Sequence, residues 1–295
     1  MAGKCARVVS MTTAVIDKLR VRRSFDRAAT EYDAVAVLQR EIANRLLERL
    51  DYVRLEPQRV LDLGAGTGYA LDALQRRYRK ARIIAVDFAH GMLLQARRRG
   101  SWWRRPLCVC ADAEALPFSD GAVDLIVSNA TLQWCDLPLA LAECRRVLRP
   151  GGLLMFTTFG RDTLIELRQA WSAVDGDSHV SPFLDLHDIG DALVQARFTD
   201  AVIDVERLQL TYAAVRDLML DLKTLGAHNA TLTRPRGLTG RTRVLALEQA
   251  YEIHRSDGRL PASYEVVYGH AWIPETTVKT DQQRVQFSCR LPTDN

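Results

Sequence analysis

The sequence predicts an α/β protein: a doubly wound, mostly parallel sheet with helices on both faces and helical cap insertions at its ligand edge. Three observations predict it. Between residues 59 and 159, short apolar runs alternate with helix-length amphipathic segments. The first run, Val60-Leu61-Asp62-Leu63, passes directly into Gly64-Ala65-Gly66-Thr67-Gly68. A residue suited to ligand contact stands at the end of each of the first four strands, namely Gly64, Asp87, Asp112 and Asn129. In an open parallel sheet, ligands lie beyond those carboxyl ends.

Taken in order, Val15 to Leu50 reads as helical, with Val35, Leu38, Ile42, Leu46 and Leu47 on one face. Strand, glycine turn and helix follow from Arg59 to Tyr78, the helix starting near Tyr69. Arg82 to Asp87 is a buried strand, and His90 to Arg99 a helix. Leu107 to Ala111 and Val123 to Asn129 are the third and fourth strands. A helix from Leu137 to Leu148 meets the breaker Arg149-Pro150-Gly151-Gly152, and Leu153 to Phe159 is a fifth strand. Beyond Gly160 the spacing predicts helices over Arg161 to Val174, Leu186 to Ala196, Val215 to Leu225 and Thr242 to His254. Thr199 to Leu210 and Tyr264 to Trp272 alternate as strands do.

Residues 1–14 are expected to be a disordered leader and 274–295 a flexible polar tail. Between them, 15–273 form one domain: an N-terminal helical lid (15–56), a ligand-binding core (57–160), a helical cap insertion (161–200) and C-terminal strands with lid helices (201–273). With 47% apolar residues, a chain of 295 can bury a full core. No apolar run is long enough to span a bilayer, and Ser10, Thr12 and Thr13 break the one stretch that could resemble a signal peptide. The six cysteines are scattered, as expected of reduced core thiols in a cytoplasmic protein, and no second Cys pair with histidines offers a zinc site. Net charge is only +4, yet arginine clusters at Arg20, Arg22, Arg23 and Arg27, at Arg97 to Arg99 with Arg104 and Arg105, and at Arg234, Arg236, Arg241 and Arg243. Such clusters are either solvated faces or a docking surface for an acidic partner.

The glycine turn points to a nucleotide-like ligand. Gly64 and Gly66 can adopt angles closed to other residues and let a ligand approach the backbone, while the next helix presents free N–H groups. The dinucleotide pattern requires a third glycine where Tyr69 stands, which argues against an NAD-dependent oxidoreductase. Asp87, with Phe88 beside it, is placed to accept both ribose hydroxyls of an adenosyl group. Asp112 can accept from an adenine amino group, with the backbone N–H of Ala113 for a ring nitrogen. Asn129 ends the strand beside the glycine turn. Asp62 either holds that turn or receives a ligand ammonium.

The D-x-G-x-G-x-G run over Asp62 to Gly68 resembles the first motif of the class I S-adenosylmethionine-dependent methyltransferases, which implies S-adenosyl-L-methionine as cofactor, S-adenosyl-L-homocysteine as product and a seven-stranded Rossmann-like sheet. The flanks narrow the resemblance. Arg23-Ser24-Phe25-Asp26-Arg27-Ala28-Ala29-Thr30-Glu31-Tyr32-Asp33, Asp221-Leu222-Lys223, Gly226-Ala227-His228-Asn229, Gly237-Leu238-Thr239-Gly240 and Tyr264 to Trp272 are similar to the malonyl-[acyl-carrier protein] O-methyltransferases of biotin synthesis. The resemblance spans about residues 20 to 273 and is most specific in its distal half.

It implies methyl transfer to the free carboxylate of a malonyl thioester on acyl carrier protein, the ester that primes pimeloyl chain synthesis. A carboxyl group of pKa ~4 is already ionised at neutral pH, so the chemistry requires no general base and no metal. By the same resemblance Tyr32 closes over the cofactor and Trp134 helps to wall it, or simply packs in the core. Arg168 is the candidate to orient the malonyl carboxylate, and Lys223, His228 and Asn229 are candidates for a substrate-facing lid. Other acceptors (a quinone, another small molecule or RNA) and a non-catalytic cofactor-binding protein are the alternatives, although no RNA-binding motif accompanies the arginines.

Overall fold

The computed structural model describes residues 16–99, 105–232, 234, 237 and 240–275. The expected leader 1–14 and the tail beyond Glu275 lie outside the described residues, as do Arg104 and Arg236.

Seven strands form one sheet: β1 (Arg59–Leu63), β2 (Arg82–Asp87), β3 (Leu107–Cys110), β4 (Val123–Ser128), β5 (Leu148–Phe159), β6 (Thr199–Tyr212) and β7 (Leu260–Trp272). Their spatial order is β3-β2-β1-β4-β5-β7-β6. Pairs among β1 to β5 are parallel, and β7 inserts antiparallel between β5 and β6. The chain order reverses between β1 and β4, so the crevice at a topological switch point opens beside the glycine turn. The expected doubly wound, mostly parallel architecture is what the chain adopts.

The helices are α1 (Lys18–Ala28), α2 (Tyr32–Val35), α3 (Val37–Arg49), α4 (Leu71–Arg77), α5 (His90–Ala96), α6 (Leu137–Val147), α7 (Ile165–Ser172), α8 (Leu186–Gln195), α9 (Val215–Thr224) and α10 (Arg241–Tyr251). Strand alternation splits the core in two. Val60 and Leu125 face a layer containing Leu46, Leu71 and Leu74, which continues beneath the cap through Leu218, Leu247 and Tyr251. Leu61 and Ile126 face a second layer with Leu141, Cys144, Ile189 and Leu193. The segment 161–200 therefore divides: α7 joins the first layer, and α8 covers the opposite face alongside α6.

Two local expectations need correction. The single helix foreseen from Val15 to Leu50 is three helices, broken at Ala29 to Glu31 and at Ala36, whose ψ of 43° leaves the helical region. The break turns one short helix toward the ligand edge, where Asp33 Oδ1 accepts from Thr67 Oγ1 at 2.6 Å. The breaker Arg149-Pro150-Gly151-Gly152 does not separate helix from strand; it lies inside β5. Pairing shifts there from Val123↔Leu148 to Leu125↔Leu153, so the extra residues are absorbed as a bulge with Gly151 at φ +71°. Of the described cysteines, which are free, only Cys144 is buried, so the expected core placement does not extend to Cys108, Cys110 and Cys135.

Candidate active site

The turn after β1 forms because its first backbone groups have partners on the neighbouring strand. Gly64 and Ala65 both donate N–H bonds to the Val86 carbonyl, at 2.8 and 2.9 Å. The glycines then serve different ends. A Cβ on Gly64, at φ +73°, would overlap the Thr131 side chain, so this glycine lets the loop after β4 close on the turn. Gly66, at φ +54°, has nothing within 4 Å of where a Cβ would sit. That open space faces a cleft of about 830 Å³, its mouth included. Gly68 does not line the cleft; a Cβ there would press on Ala96 of α5, so it is a packing glycine.

Asp87 closes the turn from β2. One carboxylate oxygen accepts from Gly66 N at 2.9 Å and the other from Ala89 N at 2.8 Å. Burial pushes its carboxyl up to about 6, against the lowering effect of those two bonds. Asp62 lies behind the turn, 2% exposed, with Oδ2 unpartnered and outside the cleft lining. Burial, then the nearby Asp87 charge, pushes it up to about 7. Asp112 and Ala113 line the far end of the cleft. There Asp112 Oδ1 accepts from Glu114 N at 3.0 Å, and its Oδ2 takes the ammonium of Lys18 from α1. Lys18 also pairs with Glu114 at 2.8 Å. Burial alone would lower the Lys18 pKa, but its bonds to these two carboxylates outweigh that and raise it.

The N-terminal helices roof the cleft with aromatic rings. Phe25 meets Trp134 edge-on at 5.5 Å and Tyr32 at 6.5 Å, and Phe88 completes the wall. Burial raises the Tyr32 phenol pKa, so the ring is neutral. Asp26 pins the roof by accepting from Gly91 N of α5 at 2.8 Å. Asn129 braces the floor: Nδ2 donates to the Gln39 carbonyl at 3.0 Å, and Oδ1 accepts from Thr157 Oγ1 at 2.8 Å.

A second cavity of about 990 Å³ adjoins the first, walled by Leu167, Trp171, Met219 and Tyr264 beneath the cap helices. Gln39, Trp134, Phe159 and Ala227 line both. Gln39 Oε1 is buried there without a partner. Lys223, His228 and Asn229, the candidates for a substrate-facing lid, line the second cavity. Their surroundings differ. Asn229 is spent on structure, donating to Ser178 O at 2.6 Å and accepting from Thr231 N at 2.9 Å. His228 Nε2 meets Ser24 Oγ at 2.9 Å, whereas Nδ1 is buried and unpartnered. Burial, then the charges of Arg20, Lys223 and Arg234, lowers the His228 pKa and keeps the ring neutral.

Arg168 lines neither cavity. Its guanidinium donates to the carbonyls of Arg161 at 2.9 Å and Thr163 at 3.0 Å, which fixes the loop before α7. Ala65 also stays behind the turn. Conversely, the structure brings in Lys18, Phe25 and Gln39, which sequence reasoning had not singled out. A signal existed for two of them. Lys18 and Phe25 stand seven residues apart within α1, the interval that keeps positions on one helical face.

Comparison with known proteins follows the same lines. Residues 61–156 match the family model described as "Methyltransferase domain". The chain is 57% identical over 260 residues to the malonyl-[acyl-carrier protein] O-methyltransferase of Halorhodospira halophila, covering 87% of this chain and 88% of the relative. It is 51% identical over 278 residues to the protein of that name from Gallionella capsiferriformans, covering 92% and 96%. Among solved structures, the YcgJ protein of Bacillus subtilis superposes with a TM-score of 0.55 at 18% identity, over 80% of this chain and 99% of that one. Haemonchus contortus phosphoethanolamine N-methyltransferase 2, solved with S-adenosyl-L-methionine, gives 0.50 at 16% identity, over 84% and 57%. These two likenesses concern the fold.

Proposed function

The chain belongs to the malonyl-[acyl-carrier protein] O-methyltransferase family, and from that premise we propose how its two joined cavities divide one reaction. It is an S-adenosylmethionine-dependent methyltransferase that esterifies the free carboxylate of malonyl-acyl carrier protein. We assign the ester to the priming of pimeloyl chain synthesis for biotin, and the work to the cytoplasm, where free thiols such as Cys144 persist. Among the described residues, no helix is long and apolar enough to cross a membrane.

The first cavity fits the cofactor. The unfilled space over Gly66 admits a ligand to the backbone, and Asp87 presents a carboxylate at the same point. In this reading Asp87 holds the ribose hydroxyls, Asp112 and Ala113 the adenine edge, and Gly64, Gly66 and Asn129 the methionyl portion. Phe25, Tyr32, Phe88 and Trp134 wall the sulfonium side, where a ring contributes about 0.5–2 kcal/mol of cation–π attraction.

When bound, the cofactor supplies an electrophilic methyl to a carboxylate oxygen that is already ionised. The chain's own part is to align and to keep dry. Both charges vanish on transfer, so an apolar junction disfavours the separated ions more than the transition state. Trp134, Phe159 and Ala227 make that junction, and the Gln39 amide is the polar group available to orient the acceptor. Lys223 and His228 face the acceptor arm from the second cavity. The arginine-rich surface is proposed to receive the acidic carrier.

The observation that carries this reading is the meeting of the two cavities at one set of four residues. Methyl-labelled S-adenosylmethionine incubated with malonyl-acyl carrier protein tests it. Base-labile label on the carrier is expected; label on RNA or a quinone precursor instead would overturn the acceptor assignment.

A further inference from the structure

A third cavity lies on the outside of the roof helix. It encloses about 840 Å³ of open groove and is lined by Arg20, Arg23, Arg27, Arg234, Ser24 and His228, with Asp17 at one end. His228 also lines the second cavity, so the groove leads through that residue to the acceptor space. Helix α1 thus has two working faces. Lys18 and Phe25 turn inward onto the cofactor cleft, whereas Arg20, Arg23 and Arg27 stand outward and exposed at spacings of three and four.

The geometry points to this groove as the docking site for the carrier's prosthetic arm: Arg20, Arg23 and Arg27 on the outer face of α1 bind the phosphate of a phosphopantetheine and the acidic surface around it, while Arg234, held by Asp17 and the Thr231 carbonyl, forms the groove wall. The inference rests on the acyl-carrier reading above. Arg20, Arg23 and Arg27 make no ion pair with any described residue, so their charge is available. Among the described residues, the one carboxylate lining the groove, Asp17, is already engaged by Arg20 N at 3.1 Å and by Arg234 at 3.4 Å. Guanidinium groups hold phosphate bidentately, and a cluster of them steers an acidic protein. With the phosphate there, the amide-bearing arm enters past His228 into the second cavity, and the malonyl end reaches the junction at Gln39 and Trp134.

The other arginine groups are placed or paired differently. Arg99 binds the Thr67 carbonyl at 2.8 Å and pairs with Asp33. Arg243 sits 3.5 Å from Asp175 and 3.7 Å from Asp177. Arg82 and Arg105 line a groove at the amino ends of β2 and β3, the end of the sheet away from the cofactor cleft.

The test compares three malonyl thioesters, on acyl carrier protein, on phosphopantetheine and on pantetheine without phosphate, in wild type and in Arg23→Glu/Arg27→Glu. The expected fall in kcat/KM at low salt is about 20-fold for the carrier and about 5-fold for the phosphopantetheine thioester, with the phosphate-free thioester within about 2-fold. Arg97→Glu/Arg98→Glu should leave all three unchanged. Should the double reversal depress all three alike, Arg23→Gln decides: loss confined to the phosphate-bearing substrates upholds the site, and uniform loss overturns it. Carrier kcat/KM unchanged by the reversal also overturns it while leaving the functional reading intact. Methylation of some other acceptor in place of the malonyl carrier by the wild type would remove both.

Discussion

The Asp87 carboxylate holds the Gly66 amide at 2.9 Å, so the acid that ends β2 fixes the turn that follows β1. The same carboxylate lines the first cavity, so in the proposed reading one side chain couples turn geometry to cofactor binding. Asp87→Ala should therefore weaken S-adenosylhomocysteine binding at least about tenfold, since hydrogen bonds to a charged group contribute roughly 1.5–3 kcal/mol. Titration calorimetry measures it, and an affinity within twofold of wild type would sink the assignment.

The same group makes cofactor affinity pH-dependent. Its carboxyl is raised by burial to about 6, and hydroxyl donors favour the ionised form. Affinity should fall as pH drops through 6 and level off above 7. In Asp87→Asn the dependence should vanish in calorimetry between pH 5 and 8.

Asp62 acts on stability instead. Its pKa lies near 7 in the folded chain, against 3.8 for the ordinary side chain, because it is buried. The folded state then binds the proton more tightly than the unfolded state, so this contribution is full below about pH 4 and is lost as pH rises through 7. Asp62→Asn should raise the Tm of the ligand-free protein clearly more at pH 8 than at pH 5. Equal shifts at both values would contradict an ionisation origin.

The glycines of the turn should separate in a mutant pair. Gly66→Ala meets no atom and carries only the left-handed backbone cost, on the order of 1 kcal/mol, so it should fold yet lose cofactor affinity. Gly64→Ala would overlap Thr131 as well, and its main effect should be a lower Tm. Thermal melts paired with calorimetry read both effects.

Lys18 ties the roof to the end of the cleft proposed to take the adenine, through Asp112 and Glu114, pairs that are partly exposed. Removing a partly exposed pair costs about 1 kcal/mol, so Lys18→Met should speed cofactor release by roughly 3- to 5-fold in stopped flow. Hydrogen exchange of 16–35 should rise with it. Unaltered release would mean that the roof is held by its aromatic packing alone.

Strands β1, β2 and β4 were legible because each is a mostly buried apolar run that stops at a residue suited to a task, as at Asp87 and Asn129. The acids that line the first cavity, Asp87 and Asp112, followed from those ends. What the sequence concealed came from tertiary contact. Nothing local distinguishes Gly68, which packs on α5, from Gly66, which faces open space. Arg168 reads as a free guanidinium until the loop carbonyls of Arg161 and Thr163 are folded onto it. The helix break at Ala36 was hidden because the apolar spacing runs on through it, whereas the chain turns there to bring Tyr32 over the cleft. The cationic groove needed Arg234 and α1 side by side, residues more than 200 positions apart.

In the proposed reaction the methyl group passes between two cavities at a shared junction, where Ala227 lines both. Single-turnover methyl transfer to malonyl-acyl carrier protein by Ala227→Phe, with cofactor affinity measured on the same sample, tests it most directly. Cofactor affinity within about threefold of wild type is expected, with a transfer rate lowered by about a hundredfold or more, because the near-attack alignment is blocked. Transfer at the wild-type rate with the cofactor bound would contradict it.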